Sequence, residues 1–480
     1  KKATPWLILA SATFAHVAVA QPAPPAPRPA PAAAPKPPAT AAAPANPPQD
    51  PGEPNLPNVD DPMLEPPAAA ARELRTWPEA LSLVRQQSPS LKTSLARVDQ
   101  AAARSRQSLA AALPQLGARA QVGQELLLTR GNDINGERRL FPDPSTGYGA
   151  SLNLVVPLFV PQAWYDRETA KRAVDQTRLE TAEIERQIAA LVADAIVNAV
   201  TGERLAEVTR VSLKSALSTL DLNKRRAALG ASSRLDVLRA EQEVELARQQ
   251  VVNADAALLR TREALGLALG SSEPWGVTPE IRLDSLAQDA RTTCKQVGKI
   301  GERPDVLAAN SNVGLVSRQK GSVDWSFWPT VAATSDLTYY GTDNTSNRLH
   351  WSWQIGAVLN WTLYDGGLRY GQKDEADANL KVAREQLNDT KLNAEIDVNR
   401  TVREVKVAEA SLAVSTRARE ISAETARLAR IAYLNGSGTS FDLVDNARLL
   451  REAELDLTIK EFALLRAKVA AMIALASCKL

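Results

Sequence analysis

The chain has 480 residues, with 57 Lys and Arg against 55 Asp and Glu and a formal net charge of +2. That length supports a large core, and the interspersed charges exclude a sustained basic surface, so no nucleic-acid partner is expected. Two cysteines, Cys294 and Cys478, and two histidines, His16 and His350, lack the spacing of a metal knuckle, redox motif or catalytic centre, so no metal or cofactor is expected.

The N-terminus opens with Lys1-Lys2 and an apolar stretch from Trp6 to Ala20, the pattern of a secretory signal over residues 1–20. Ala18-Val19-Ala20 fits the cleavage site, and no cysteine follows it to carry a lipid. Residues 21–70 are rich in Pro and Ala and read as a disordered linker without a fold of its own. No later run reaches the about 18 uninterrupted apolar residues of a membrane helix. Export without such a span leaves secretion, the periplasm or a β-barrel membrane.

A first repeat is read over 71–269. Helices open at Pro78 and Pro89, and Pro114 stops the second. A strand at about 115–128 sets Leu116, Ala118, Ala120 and Val122 against Gly117, Arg119, Gln121 and Gly123. After a polar loop, a second strand at about 148–160 places Tyr148, Ala150, Leu152 and Leu154 on one side. The period then becomes helical over 162–229, breaks at a tip over 230–234 and resumes over 235–269. Residues 270–300 are irregular and read as a small packing element outside the repeat, the segment that the resemblance given below makes equatorial.

The pattern restarts over 301–475. Strands at about 330–340 and 350–364 are followed by a helix over 367–434, a tip over 435–438 and a helix over 439–475, leaving 476–480 as a tail. In the last strand Trp351, Trp353, Ile355, Ala357, Leu359 and Trp361 alternate with Ser352, Gln354, Gly356, Val358 and Asn360. Pro89 and Pro114 recur at the same spacing as Pro304 and Pro329, and Leu229-Gly230 with Asp236 recurs as Asn435-Gly436 with Asp442. The chain is duplicated.

A helix over 367–434 would be ~100 Å long, with apolar residues such as Val402, Val405, Ala408 and Leu412 on one side only. Such a helix must be covered along its length by other helices, and taken alone it reads as a coiled-coil rod. One-sided Trp and Tyr on the strands fit lipid contact, with the core of a soluble sandwich as the other reading. Four strands cannot close a barrel, so a membrane role requires several chains to pool theirs.

Three groups of residues carry a family resemblance. They are Leu363-Tyr364-Asp365-Gly366-Gly367 with the weaker Leu158-Phe159-Val160-Pro161, then Gly230 with Leu235-Asp236-Val237-Leu238, then Tyr433 and Gly436 with Phe441-Asp442-Leu443-Val444. In duplicated order and joined by long helices, they resemble the TolC-like outer-membrane efflux family. The resemblance implies an internally duplicated fold with an all-α tunnel and a transmembrane β-barrel. It implies four strands per chain and a trimeric 12-stranded barrel in the outer membrane, with a long periplasmic extension. It further implies a homotrimer acting as a passive exit duct of a tripartite efflux or type I secretion-like system, for small molecules or proteins. Its partners would be a periplasmic membrane-fusion adaptor, an inner-membrane pump and outer-membrane lipid. No enzymatic activity is expected. The alternative is a non-channel coiled-coil scaffold or adaptor-binding protein.

Site residues follow from the same resemblance. Asp442 and Asp445 would line the constriction as carboxylate rings, or serve as helix-capping and solvent-facing acids. Tyr433 and Asp236 match a tyrosine-to-aspartate gate bond. The family's gate arginine falls on Gly438, for which Arg234 is the candidate substitute. Gly230, Ser232, Leu235, Gly436, Gly438 and Phe441 mark the adaptor-contact tips. Trp351, Trp353, Trp361, Tyr148 and Tyr339 form the membrane aromatic belt. In an exported protein Cys294 and Cys478 are expected to pair and tie the C-terminus to the equatorial segment, with two free thiols as the alternative.

Overall fold

The computed structural model describes residues 59–125, 130–132, 138–140, 145–278, 288–289, 291–342 and 350–479. The expected signal at 1–20 and most of the expected linker lie outside these residues.

Order begins earlier than the sequence reading placed it. Residues 59–76 run as an extended strap with one short turn at Pro62–Leu64, followed by β1 (Arg72–Leu74). Residues 59–70, expected to be part of a linker without a fold, are instead ordered by three contacts to distant arginines. Arg248 pairs with the Asp61 carboxylate at 2.7 Å, Arg210 donates to the Glu65 carbonyl, and Arg262 donates to the Ala68 carbonyl at 2.9 Å. Low local hydrophobicity concealed an ordering force that comes from elsewhere in the chain.

Helices α1 (Trp77–Gln87) and α2 (Pro89–Ala110) begin at Thr76 and Ser88, whose hydroxyls accept from backbone N–H groups of their first turns. Strand β2 (Gln115–Glu125), a short ladder of β3 (Arg130–Asn132) with β4 (Arg138–Leu140), and β5 (Ser145–Phe159) follow. Helix α3 (Pro161–Ala228) has 68 residues and is ~100 Å long. Proline at its first position suits a helix start, where no intrahelical N–H is needed. Helix α4 (Arg234–Leu269) returns alongside it.

After β6 (Trp275–Val277) and β7 (Cys294–Gln296), the second copy gives α5 (Pro304–Trp325), β8 (Thr330–Thr342), β9 (His350–Asn360), α6 (Leu368–Leu434) and α7 (Ser440–Ala474). The chain ends on β10 (Ala476–Cys478). Strand β9 stops at Asn360, short of the expected 364. Its partner β8 begins at Thr330, which faces Asn360. Pro329 before it has no N–H with which to extend the ladder.

The two hairpin turns share one solution. Gly230 (φ 73°) and Gly436 (φ 78°) adopt the left-handed conformation just past α3 and α6, which ends each helix without a Cβ penalty. Helices α4 and α7 then restart from reciprocal capping boxes, Ser233 with Asp236 and Thr439 with Asp442.

Strands β2, β5, β8 and β9 form one antiparallel sheet in the order β2-β5-β8-β9. The register places Ala118, Leu152, Leu337 and Trp353 in one row across it, and Tyr339 opposite Trp351. The largest cluster of buried residues among those described lies midway along α3, where α4 and α7 end. There Leu74, Trp77, Val84, Ile196, Leu265, Leu269, Trp275 and Ile473 pack together. At the same level β1 pairs in parallel with β6, and β10 pairs antiparallel with β7. Cys294 and Cys478 face each other in that register and are joined by a disulfide. The expected tail 476–480 therefore contains a strand.

Candidate functional site

The four-stranded sheet separates its faces by residue type. One face carries Leu116, Val122, Leu152, Trp351, Trp353 and Ile355, the last three 67%, 70% and 72% exposed. The other carries Gln121, Ser151, Asn153, Asp336, Thr338, Gln354 and Asn360, with Asn153 donating to Asp336. Aromatic residues gather at both ends of the strands. At the turn end Tyr148 meets Tyr339 at 6.4 Å between ring centroids, and Tyr339 meets Trp351 at 4.9 Å. At the helix end Phe159 packs against Trp164 and Phe327 against Tyr370, while the Trp361 indole donates to the Phe327 carbonyl.

The strand-to-helix corner explains its own motif. The Asp365 carboxylate accepts from the backbone N–H groups of Gly367 and Arg369 and from Arg369 Nε at 2.6 Å. Arg369 also donates to the Thr362 carbonyl and stacks over Phe327 at 4.8 Å. Asp365 thus caps the helix and fixes the arginine that ties it to the end of the strand.

At the far end of the hairpins the structure rearranges the expected gate. Tyr433 and Asp236 are not bonded. The Tyr433 hydroxyl donates instead to Asn223 Oδ1 at 2.8 Å, and the side chain is only 4% exposed. Asp236 is held in its own capping box by Ser233 and Ser232. The Ser233 hydroxyl, assisted by backbone and neighbouring serine donors, holds its carboxyl below the usual range against the opposing effect of burial. An acid at the third helical position satisfies the start of its own helix first, which is the physical reason for the correction.

The expected arginine substitute is also displaced. Arg234 is exposed and enters no ion pair among the described residues. The arginine that meets the tyrosine is Arg226, whose guanidinium lies 4.2 Å over the Tyr433 ring and donates to its carbonyl at 2.8 Å. Gly438 has a steric reason to be glycine, since a Cβ there would lie 3.0 Å from Ala432 Cβ and from the Tyr433 nitrogen.

Asp442 and Asp445 both have local partners. Asp442 accepts from the Thr439 hydroxyl at 2.6 Å and from the Thr439 N–H, and these bonds hold its carboxyl low. Asp445 pairs with Arg448 at 2.7 Å. Gly230, Leu235, Gly436 and Phe441 are exposed at the turns, and Ser232 and Gly438 are partly so. The hairpins are cross-linked above them. Arg239 lies over Phe441 at 5.7 Å, Arg451 pairs with Glu243, and Arg466 pairs with Asp194 at 2.5 Å.

Sequence reasoning missed Asn223, Arg226, Arg239, Glu243 and Arg451. For Asn223 a signal existed. It continues the buried row Leu213, Ala216 and Leu220 at helical spacing, and a lone amide in such a row requires a specific partner.

A duplicated helix-hairpin protein that carries an amphipathic sheet at one end and cross-linked turns at the other has the architecture of a conduit. The outer membrane efflux protein family model matches residues 80–271 and 300–475, and the chain belongs to that family. Nodulation protein T of Rhizobium leguminosarum bv. trifolii is 25% identical over 393 residues, covering 78% of this chain and 80% of the relative. The cation efflux system protein CusC of Escherichia coli K12 is 22% identical over 344 residues, covering 68% and 72%. Among solved structures, VceC of Vibrio cholerae superimposes with a TM-score of 0.68 at 18% identity, covering 83% of this chain and 95% of that one. A crystal structure of CusC gives 0.71 at 16% identity, covering 88% and 99%. The protein therefore has the TolC-like fold and is an efflux protein of the outer membrane.

Proposed function

We propose that three copies of this chain close their sheets into one twelve-stranded barrel and join their hairpins into a periplasmic tunnel, forming a passive exit duct. The observation that carries the reading is the four-stranded sheet. β2 and β9 each lack a partner on their outer side among the described residues, and one face is apolar. Lipid does not tolerate open strand edges, so the chain completes itself with copies. Trp351 and Trp361 stand about 34 Å apart along the strand, which at barrel tilt spans a band of about 25 Å between aromatic girdles. Trp353, Tyr148 and Tyr339 belong to the distal girdle.

The helices supply matching seams. Val407, Val414, Ile421 and Leu428 recur at heptad spacing along α6 and are all exposed, as are Leu238, Val252 and Leu259 at one heptad position of α4. Stripes of this kind pack against the next copy. A duct of this build needs a polar lumen and a gate and no nucleophile, so the protein carries out no catalysis. Energy and cargo come from an inner-membrane pump through a periplasmic adaptor that docks on the turns around Gly230, Ser232, Leu235, Gly436, Gly438 and Phe441. Relatives include a cation efflux protein and a toluene efflux protein, and the cargo class here is small molecules or proteins.

Asp442 and Asp445 would form two rings of carboxylates at the entrance, each acid anchored by its local partner. Planar-bilayer recording tests this. The Asp442→Asn plus Asp445→Asn channel is expected to lose cation preference, and an unchanged reversal potential would remove both residues from the lumen.

A further inference from the structure

We infer that the equatorial region holds a binding cleft for multivalent oxyanions, distinct from the conduit and its gate. A cleft of about 490 Å³ opens beside the disulfide and receives cations from three separate segments: Arg85 from α1, Lys295 from β7 and Lys479 from the end of the chain. Ser82, Thr292, Thr293 and Ser477 line it as well, the Ser82 and Thr292 hydroxyls donating to the Glu79 and Asp289 carbonyls, and no carboxylate lines it among the described residues.

What marks this cleft is three cations gathered in one lining with no counter-ion among the described residues. Arginines on the long helices usually meet an acid of their own turn, as Arg178 meets Asp175, Arg204 meets Glu207 and Arg427 meets Glu424. Arg85, Lys295 and Lys479 enter no ion pair among the described residues, although three cations lining one cleft repel one another. The fold holds two of them there covalently. Cys294 pairs with Cys478 in the β7–β10 ladder, and Lys295 and Lys479 are the residues that follow these cysteines. Lys295 lies opposite Ser477 in the same register.

A ligand with at least two negative charges offsets the repulsion and uses the donors offered. A planar guanidinium grips a carboxylate or phosphate edge, two ammonium groups add point charges, and the Thr293 hydroxyl, which accepts from the Trp77 indole, keeps its own O–H to donate. Such oxyanions exist as free small molecules and as side groups of polymers, and the test separates the two.

Isothermal titration of the detergent-solubilised, disulfide-intact protein is run with citrate and with poly-L-glutamate at fixed ionic strength. Saturable citrate binding that weakens by about tenfold or more in Lys295→Gln plus Lys479→Gln supports a site for free anions. Binding of poly-L-glutamate alone, weakened in the same variant, supports a polymer-borne ligand. Equal binding by variant and wild type overturns the inference, as does the absence of saturable binding to either probe. Lys171→Gln plus Arg178→Gln, on an exposed face of α3, is the control and is expected to leave binding unchanged. A fall in oligomer mass in the cleft variant would instead assign the cations to a contact between copies and overturn the inference.

Discussion

At the scale of single residues, the proposed gate is a small, largely buried polar cluster built around Asn223 and Tyr433. Asn223 accepts from Tyr433 at 2.8 Å and from Ser440 at 3.4 Å, and Arg226 covers the ring from outside. Tyr433→Phe removes one buried hydrogen bond, a cost of about 1 kcal/mol, and leaves the Asn223 oxygen short of a donor. Arg226→Ala removes both the cation–π contact and a carbonyl partner. Each variant is expected to raise unitary conductance in planar bilayers by loosening the α6–α7 hairpin. Asp236→Asn, whose principal partner is Ser233 of its own capping box with Ser440 of the other hairpin contributing least, is expected to change conductance far less. If Asp236→Asn opened the channel as strongly as Tyr433→Phe, the tyrosine-to-aspartate bond would be restored as the gate.

At the scale of elements, the strap and the hairpins depend on arginines that act across long sequence distances. Arg210 is nearly buried between the Asp255 carboxylate, at 2.6 Å, and the Glu65 carbonyl. For Asp61, burial pushes the carboxyl up, but the Met63 N–H and the Arg248 guanidinium outweigh it and the net shift is downward. A carboxyl lowered by folding stabilises the strap above its unfolded pKa of about 3.9, and that stabilisation is lost as pH falls through the lower folded value. Hydrogen exchange of amides 61–65 is therefore expected to show protection at pH 7 that disappears only in strong acid. Asp61→Asn is expected to lose that protection at pH 7, and unchanged exchange in this variant would show that the Arg210 and Arg262 contacts hold the strap without the ion pair.

Between hairpins, the nearly buried Arg451 meets Glu243. Removing only one partner leaves an uncompensated charge and costs about 3 kcal/mol, whereas replacing both with apolar residues is close to neutral. Thermal melts are expected to rank Arg451→Met below the double variant Arg451→Met plus Glu243→Leu. The reverse order would show that the pair is not desolvated in the assembled protein.

At the scale of the molecule, assembly and the disulfide are the two features that no local segment contains. Val414→Lys plus Ile421→Lys places charges in the exposed α6 stripe and is expected to convert the detergent-solubilised trimer to monomer, read by light scattering. A trimer that persists would move the seam elsewhere. The disulfide closes a loop with a sequence separation of 184. Chain-entropy arguments give such a link about 5 kcal/mol, so Cys294→Ala plus Cys478→Ala is expected to lower the melting temperature clearly.

Most of the fold was legible in the sequence because it rests on short-range periodicity. The alternation of Trp351, Trp353 and Ile355 against Ser352 and Gln354 predicts a two-faced strand, and long stretches of three-and-four spacing predict helices. Gly230 and Gly436 announce the turns because a left-handed helix terminus favours glycine. The duplication itself follows from Pro89 and Pro114 recurring as Pro304 and Pro329. Only the tertiary structure decided which polar groups meet. Asp236 and Asp442 are claimed by their own helix starts, Tyr433 finds Asn223 and Arg226 across the hairpins, and three arginines order a strap that composition assigns to a linker. These contacts join residues far apart in sequence at angstrom precision. Helix phase and crossing fix them, and periodicity specifies a face but no particular partner on it.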